Sequence, residues 1–99
     1  MLYEVVWTAT AGEHLDALFD YLAENVSLWD ADNLCERLLR STDKLTEFPR
    51  LYEAAPQYGE GVRRISLLGC HVLYEVDDPA RLINVLAVVG QRQNPRAIR

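Results

Sequence analysis

The chain has 99 residues, 49% of them hydrophobic and 25% charged, and carries a formal net charge of −5. That length suits one domain rather than two, since domains run from about 50 to 200 residues, and the composition excludes a disordered or low-complexity chain. No apolar run approaches the ~20 residues of a membrane span, and the N-terminus lacks a signal-peptide pattern, so the expectation is one cytoplasmic domain over residues 1–99 without a membrane partner.

Residues 2–8, rich in β-branched and aromatic side chains, predict a short strand. Thr8 or Thr10 then offers a helix N-cap, and Thr10 with Glu13 has capping-box spacing. Leu15, Leu18, Phe19, Leu22 and Val26 recur on one helical stripe, with Glu13, Asp16, Asp20 and Glu24 largely opposite. Residues 25–27 break this first helix. Ser27 and Asp30 repeat the capping-box spacing, and Ala31, Leu34, Cys35, Leu38, Leu45 and Phe48 predict a second helix of about 20 residues ending at Pro49. The two helices pair as a hairpin.

Residues 49–61 hold two prolines and two glycines with no clear period and read as a connecting loop. Beyond them the period becomes that of strands: 62–68, 71–76 and 82–89, joined by turn chemistry at Gly69-Cys70 and Asp77-Asp78-Pro79-Ala80. Strands joined this closely are antiparallel neighbours. The fold class is therefore α+β: a two-helix hairpin packed on one face of an antiparallel sheet, in the order β-α-α-β-β-β, with the other face partly free.

The net charge is unevenly spread. Residues 1–62 hold twelve acids and four bases, whereas residues 63–99 hold three acids and six bases, all arginine. An acidic helical body thus carries a modestly basic sheet and tail. No phosphate loop, zinc motif or Cys-x-x-Cys pair is present, so neither metal nor cofactor is expected, and Cys35 and Cys70 read as free apolar thiols. The informative stretch is Arg63-Arg64 with the strand opened by His71. By strand alternation one of these arginines points toward an apolar side or its rim. There it meets either an internal carboxylate or an external anionic partner. His71 is either a hydrogen-bonded packing residue or part of a groove beside the arginines. Arg92, Arg96 and Arg99 follow the last strand and can reach back to the sheet. Tyr74 reads as core.

These residues resemble the RelE/ParE superfamily of type II toxin–antitoxin toxins. The resemblance runs through Trp7-Thr8, the helix with Leu15, Phe19, Tyr21 and Leu22, then Leu45 and Pro49, Leu51-Tyr52, Pro56, Gly61-Val62-Arg63, Val72-Leu73-Tyr74, Ile83-Asn84-Val85 and Arg92-Gln93-Asn94-Pro95. The 49–56 loop, the Gly61-Val62-Arg63 entry and Asn84-Val85 look closer to ParE, whose resemblance implies a growth-inhibiting toxin that binds a protein target such as DNA gyrase and is neutralised by a cognate antitoxin. On that reading Arg63, Arg64, His71, Arg92 and Arg96 form the surface that meets target or antitoxin. The RelE alternative is a ribosome-dependent mRNA endoribonuclease, for which Arg64, His71 and Arg92 would be catalytic. Against that pattern, His71 stands where RelE has an arginine, Ile98 lies near the place of its tyrosine, and the sheet half contains no lysine. Against the ParE pattern, Gly90-Gln91-Arg92-Gln93 lacks the His and one Arg of a His-x-Arg-Arg-like ending. A third reading is a non-toxic or decayed interaction domain.

Overall fold

The computed structural model describes residues 2–91. Its elements are β1 (Glu4–Trp7), α1 (Ala9–Asn25), α2 (Leu28–Arg40), β2 (Arg63–Leu67), β3 (Cys70–Asp77) and β4 (Leu82–Gly90), with single 3-10 turns at Asp43–Thr46 and Pro56–Tyr58. The expected order of elements and the helical hairpin are both present. The sheet order is β1-β4-β3-β2.

The tight connections make β2, β3 and β4 antiparallel, as expected. The amendment is β1, which runs parallel to β4 and makes the sheet mixed. A parallel partner needs a long crossover, and the whole hairpin together with β2 and β3 supplies it.

Thr8, rather than Thr10, caps α1: its hydroxyl oxygen accepts from the Ala11 N–H and its O–H donates to the Val85 carbonyl at 2.7 Å. One side chain therefore starts the helix and ties it to β4. The Ser27 cap forms as predicted, accepting from the Asp30 N–H while its hydroxyl meets the Asp30 carboxylate. The second helix is shorter than predicted, at 13 residues. Ser41 and Thr42 stop it by donating their hydroxyls to the Leu38 and Leu39 carbonyls, the local competition with helix expected of these residues. Leu45 still reaches the core, but from the following 3-10 turn, and Phe48 is exposed.

Leu15, Leu38 and Leu45 pack against Ile65, Val72, Tyr74, Ile83 and Val85 on the helix side of the sheet. Truncating any of the wholly buried leucines or isoleucines among these to alanine costs about 2–5 kcal/mol. On the other face a smaller cluster, Val62, Leu73, Ala87 and Val89, is flanked by Tyr58 and Leu86. The β4 strand serves both faces through a bulge: Tyr74 pairs with Val85 and Leu73 with Ala87, leaving Leu86 as the extra residue. Ile83 and Val85 thus face the helices before the bulge, and Val88 does so after it.

Past the end of β1 the β4 backbone has no strand neighbour on that side among the described residues. His14 of α1 fills the role, its Nδ1 accepting from the Val88 N–H at 3.1 Å. The β2–β3 turn is Leu68-Gly69, both residues at positive φ. That is the handedness a two-residue hairpin requires, and a leucine adopts it only at a cost.

Candidate functional site

Alternation along β2 separates the two arginines. Arg63 pairs with Tyr74 and lies on the helix side, whereas Arg64 pairs with Leu73 and lies on the other face. Neither guanidinium is left bare. Arg63 donates through Nη1 to the Tyr52 carbonyl at 2.7 Å, and Arg64 grips Glu53 Oε2 through Nε at 2.9 Å and Nη2 at 2.7 Å. Arg64 is largely covered while Glu53 is exposed, so the pair contributes only about 0–1 kcal/mol. The backbone repeats the attachment: Arg64 N–H donates to the Glu53 carbonyl, Ala55 N–H to the Val62 carbonyl, and Ala54 bridges Arg63. The loop after the helices is thereby strapped to the outer edge of β2.

His71 shares the Arg64 face and is 7% exposed. Its Nδ1 lies 2.9 Å from the Ser66 hydroxyl, its cross-strand neighbour, and its ring meets Tyr58 edge-on at 6.3 Å between centroids. Burial, and after it the positive charge of Arg64, lowers the pKa of His71, while Glu53 opposes the shift. The imidazole is therefore neutral at neutral pH. Arg64, Glu53, Ser66, His71 and Tyr58 form one cluster at the β2–β3 end of the open face, on the apolar floor of Val62, Leu73, Ala87 and Val89. Glu53, Ser66 and Tyr58 were not singled out from the sequence. The only available signal for Ser66 was its position directly across a two-residue hairpin from His71.

Of the other predicted residues, Arg92 and Arg96, with Arg99, lie outside the described residues. Tyr74 is fully buried on the helix side. Burial raises its pKa, and the nearby Tyr52 backbone and Arg63 oppose that shift; among the described residues the hydroxyl has no hydrogen-bond partner. Cys35 and Cys70 are free and buried, and burial pushes both thiols up. Among the described residues no group of three His, Cys, Asp or Glu side chains is placed to hold a metal ion, and no helix is long and apolar enough to cross a membrane.

At the far end of the sheet, Asp78 accepts from the Tyr3 hydroxyl and from both terminal nitrogens of Arg50, and the Arg81 guanidinium lies 5.6 Å from the Tyr3 ring centroid. These bonds hold the Asp78 carboxyl below its ordinary range, the Arg50 contact contributing most. They tie the β3–β4 turn to the start of β1 and to the loop after the helices. On the hairpin itself Tyr21, Val26, Leu28 and Trp29 are exposed apolar residues.

The family profile described as ParE toxin of the type II toxin–antitoxin system parDE matches residues 5–95. Among solved structures, a chain of the chromosomal ParDE toxin–antitoxin system from P. aeruginosa aligns with a TM-score of 0.78 and 19% identity, over 90% of this chain and 96% of that one. A chain of the RelBE2 toxin–antitoxin complex from Mycobacterium tuberculosis aligns at 0.69 and 18% identity, over 92% and 100%. One from the intact E. coli RelBE complex aligns at 0.66 and 17%, over 92% and 99%. At these identities the likeness to the solved structures is one of fold. Comparison with curated proteins gives no match.

Proposed function

The chain belongs to the ParE toxin family of type II toxin–antitoxin systems, and on that premise we propose that it arrests growth by binding a cytoplasmic protein target such as DNA gyrase and is neutralised by a cognate antitoxin. The observation that carries a binding mechanism over cleavage is the state of the Arg64 and His71 cluster. Phosphodiester cleavage needs a base, an acid and free positive charge converging on one phosphate. Here the Arg64 charge is already matched by Glu53, and His71 is neutral, mostly buried and engaged by Ser66. Such a cluster suits exchange of one carboxylate for another. An acidic loop of the target takes the place of the exposed Glu53 on Arg64, and Tyr58 and His71 supply a flat apolar flank. Arg63 sets the position of the loop that carries Glu53 rather than meeting the target itself.

Induced expression should arrest growth, and co-expression of the antitoxin should restore it. Purified protein should inhibit supercoiling by gyrase, with Arg64→Ala weakening inhibition at least tenfold while leaving the circular-dichroism spectrum unchanged. Site-specific cuts in mRNA on translating ribosomes that vanish in Arg64→Ala and Arg92→Ala would overturn the proposal in favour of an endoribonuclease. Expression without growth arrest would leave a non-toxic interaction domain.

A further inference from the structure

Cys35 lies midway along α2 and Cys70 opens β3. They are the only two cysteines of the chain, and both are buried in one core cluster on the helix side of the sheet. Leu34 and Arg37 of α2 share a cleft of about 330 Å³ with Leu68 of the β2–β3 turn, so α2 crosses the end of the sheet where Cys70 begins its strand. Burial raises the Cys35 pKa, and Cys70 is the next contributor, ahead of Asp32 and Asp16. The two sulfurs are therefore within electrostatic reach of each other. Among the described residues no third ligand joins them to hold a metal ion, which leaves chemistry between the thiols themselves.

Their surroundings assign them different parts. The Cys35 S–H points to the Leu15 carbonyl, 3.9 Å from the sulfur, and with two aspartates nearby it is held as a thiol. Cys70 adjoins the Leu68-Gly69 turn, where a leucine stands at positive φ. Parting the last strand pair at that turn, Leu67 with Cys70, uncovers its sulfur while most of the sheet stays paired.

We propose that Cys35 and Cys70 form a reversible disulfide under hydrogen peroxide, a latch that ties α2 covalently to β3. The Cys70 sulfur attacks the peroxide; the O–O bond breaks, one oxygen leaves as water and the other remains on sulfur as a sulfenic acid. The Cys35 sulfur then displaces that oxygen as a second water, and the S–S bond forms. The two thiols give up two electrons and two protons, and the peroxide takes them. Exchange with two glutathione thiols restores both cysteines, as befits a transient disulfide in a reducing compartment. The bond closes a loop containing both 3-10 turns and β2, so it restricts the unfolded chain and makes the oxidised protein harder to unfold. The inference rests on the thiol pair and does not depend on what the toxin poisons.

The test treats the purified intact protein with hydrogen peroxide, blocks remaining thiols with iodoacetamide and follows mass and thermal unfolding. The treated protein should be lighter by about 2 Da and unalkylated. Trypsin should release residues 1–37 and 65–81 as one linked species that dithiothreitol separates. The melting temperature should rise by about 10 °C and return on reduction. Cys35→Ala and Cys70→Ala should each lose the reversible rise. Should either variant fail to fold, the linked peptides and the reversible rise in the unaltered protein decide alone. Peptides 1–37 and 65–81 recovered unlinked, both cysteines alkylated or separately carrying oxygen, would overturn the proposal. So would a disulfide-linked dimer, or a linked monomer that melts no higher than the reduced one.

Discussion

Tyr74 and His71 lie on opposite faces of β3 and show opposite ways of burying a polar group. The Tyr74 ring fills the core, but among the described residues its hydroxyl has no hydrogen-bond partner. Removing an unsatisfied buried hydroxyl relieves its desolvation cost. Tyr74→Phe should therefore leave stability unchanged or raise it by up to about 1 kcal/mol, measured as a urea midpoint with constant slope. His71 is satisfied only in its neutral form. Its folded pKa lies below the ordinary 6.5, so the unfolded chain binds the proton first. The stabilisation is complete above that ordinary value and is lost as pH falls through the lowered one. Urea midpoints should hold steady near neutrality and decline through the mildly acid range, and His71→Asn should flatten that decline. A slope unchanged in His71→Asn would assign it to other groups.

At the scale of elements, most boundaries were legible because caps and periodicity agreed. Ser27 with Asp30 marked the start of α2, and the change of period beyond Gly61 marked the strands. What sequence could not supply was which of two signals wins when both are local. Thr8 prevailed over Thr10 because it also reaches the Val85 carbonyl, a contact 77 residues away. Thr8→Ala should accordingly cost about 1–2 kcal/mol, more than an isolated cap at the low end of the usual range, read from thermal and urea unfolding. The continuation of the α2 stripe through Leu45 misled for a related reason: a buried leucine on a 3-10 turn has the same sequence spacing as one on a helix. Arg63 and Arg64 were legible as a pair on opposite faces, but Tyr52 and Glu53, which satisfy them, lie on a loop whose course no periodicity describes. The Leu68-Gly69 turn offers a further check. Leu68→Gly removes the left-handed penalty and should stabilise the protein by about 1 kcal/mol in the same unfolding measurements.

Over the whole molecule, charge and topology divide the labour. The acidic helices cover one face of the sheet, while Arg64 lies on the open face and Arg37 and Arg40, at the end of α2, border a groove along Ile65 to Leu67 of β2. Stability is shared globally, because among the described residues β1 pairs only with β4 and the helices pack on both. Unfolding should accordingly be a single cooperative transition. In Trp29→Phe the remaining Trp7 reports on the core, and its fluorescence change should coincide with loss of the far-ultraviolet helix signal. Separate midpoints would show that the hairpin and sheet unfold apart.

The position of β4 between β1 and β3 also sets a time order. The first strand made waits for the last, since Glu4 to Trp7 pair with Leu82 to Val85. With synthesis at about 5–20 residues per second, the nascent chain spends seconds with α1 and α2 made but no sheet centre to cover them. The sheet that carries the β2 edge and the Arg64 face is therefore complete only once β4 has been made and has emerged from the ribosome.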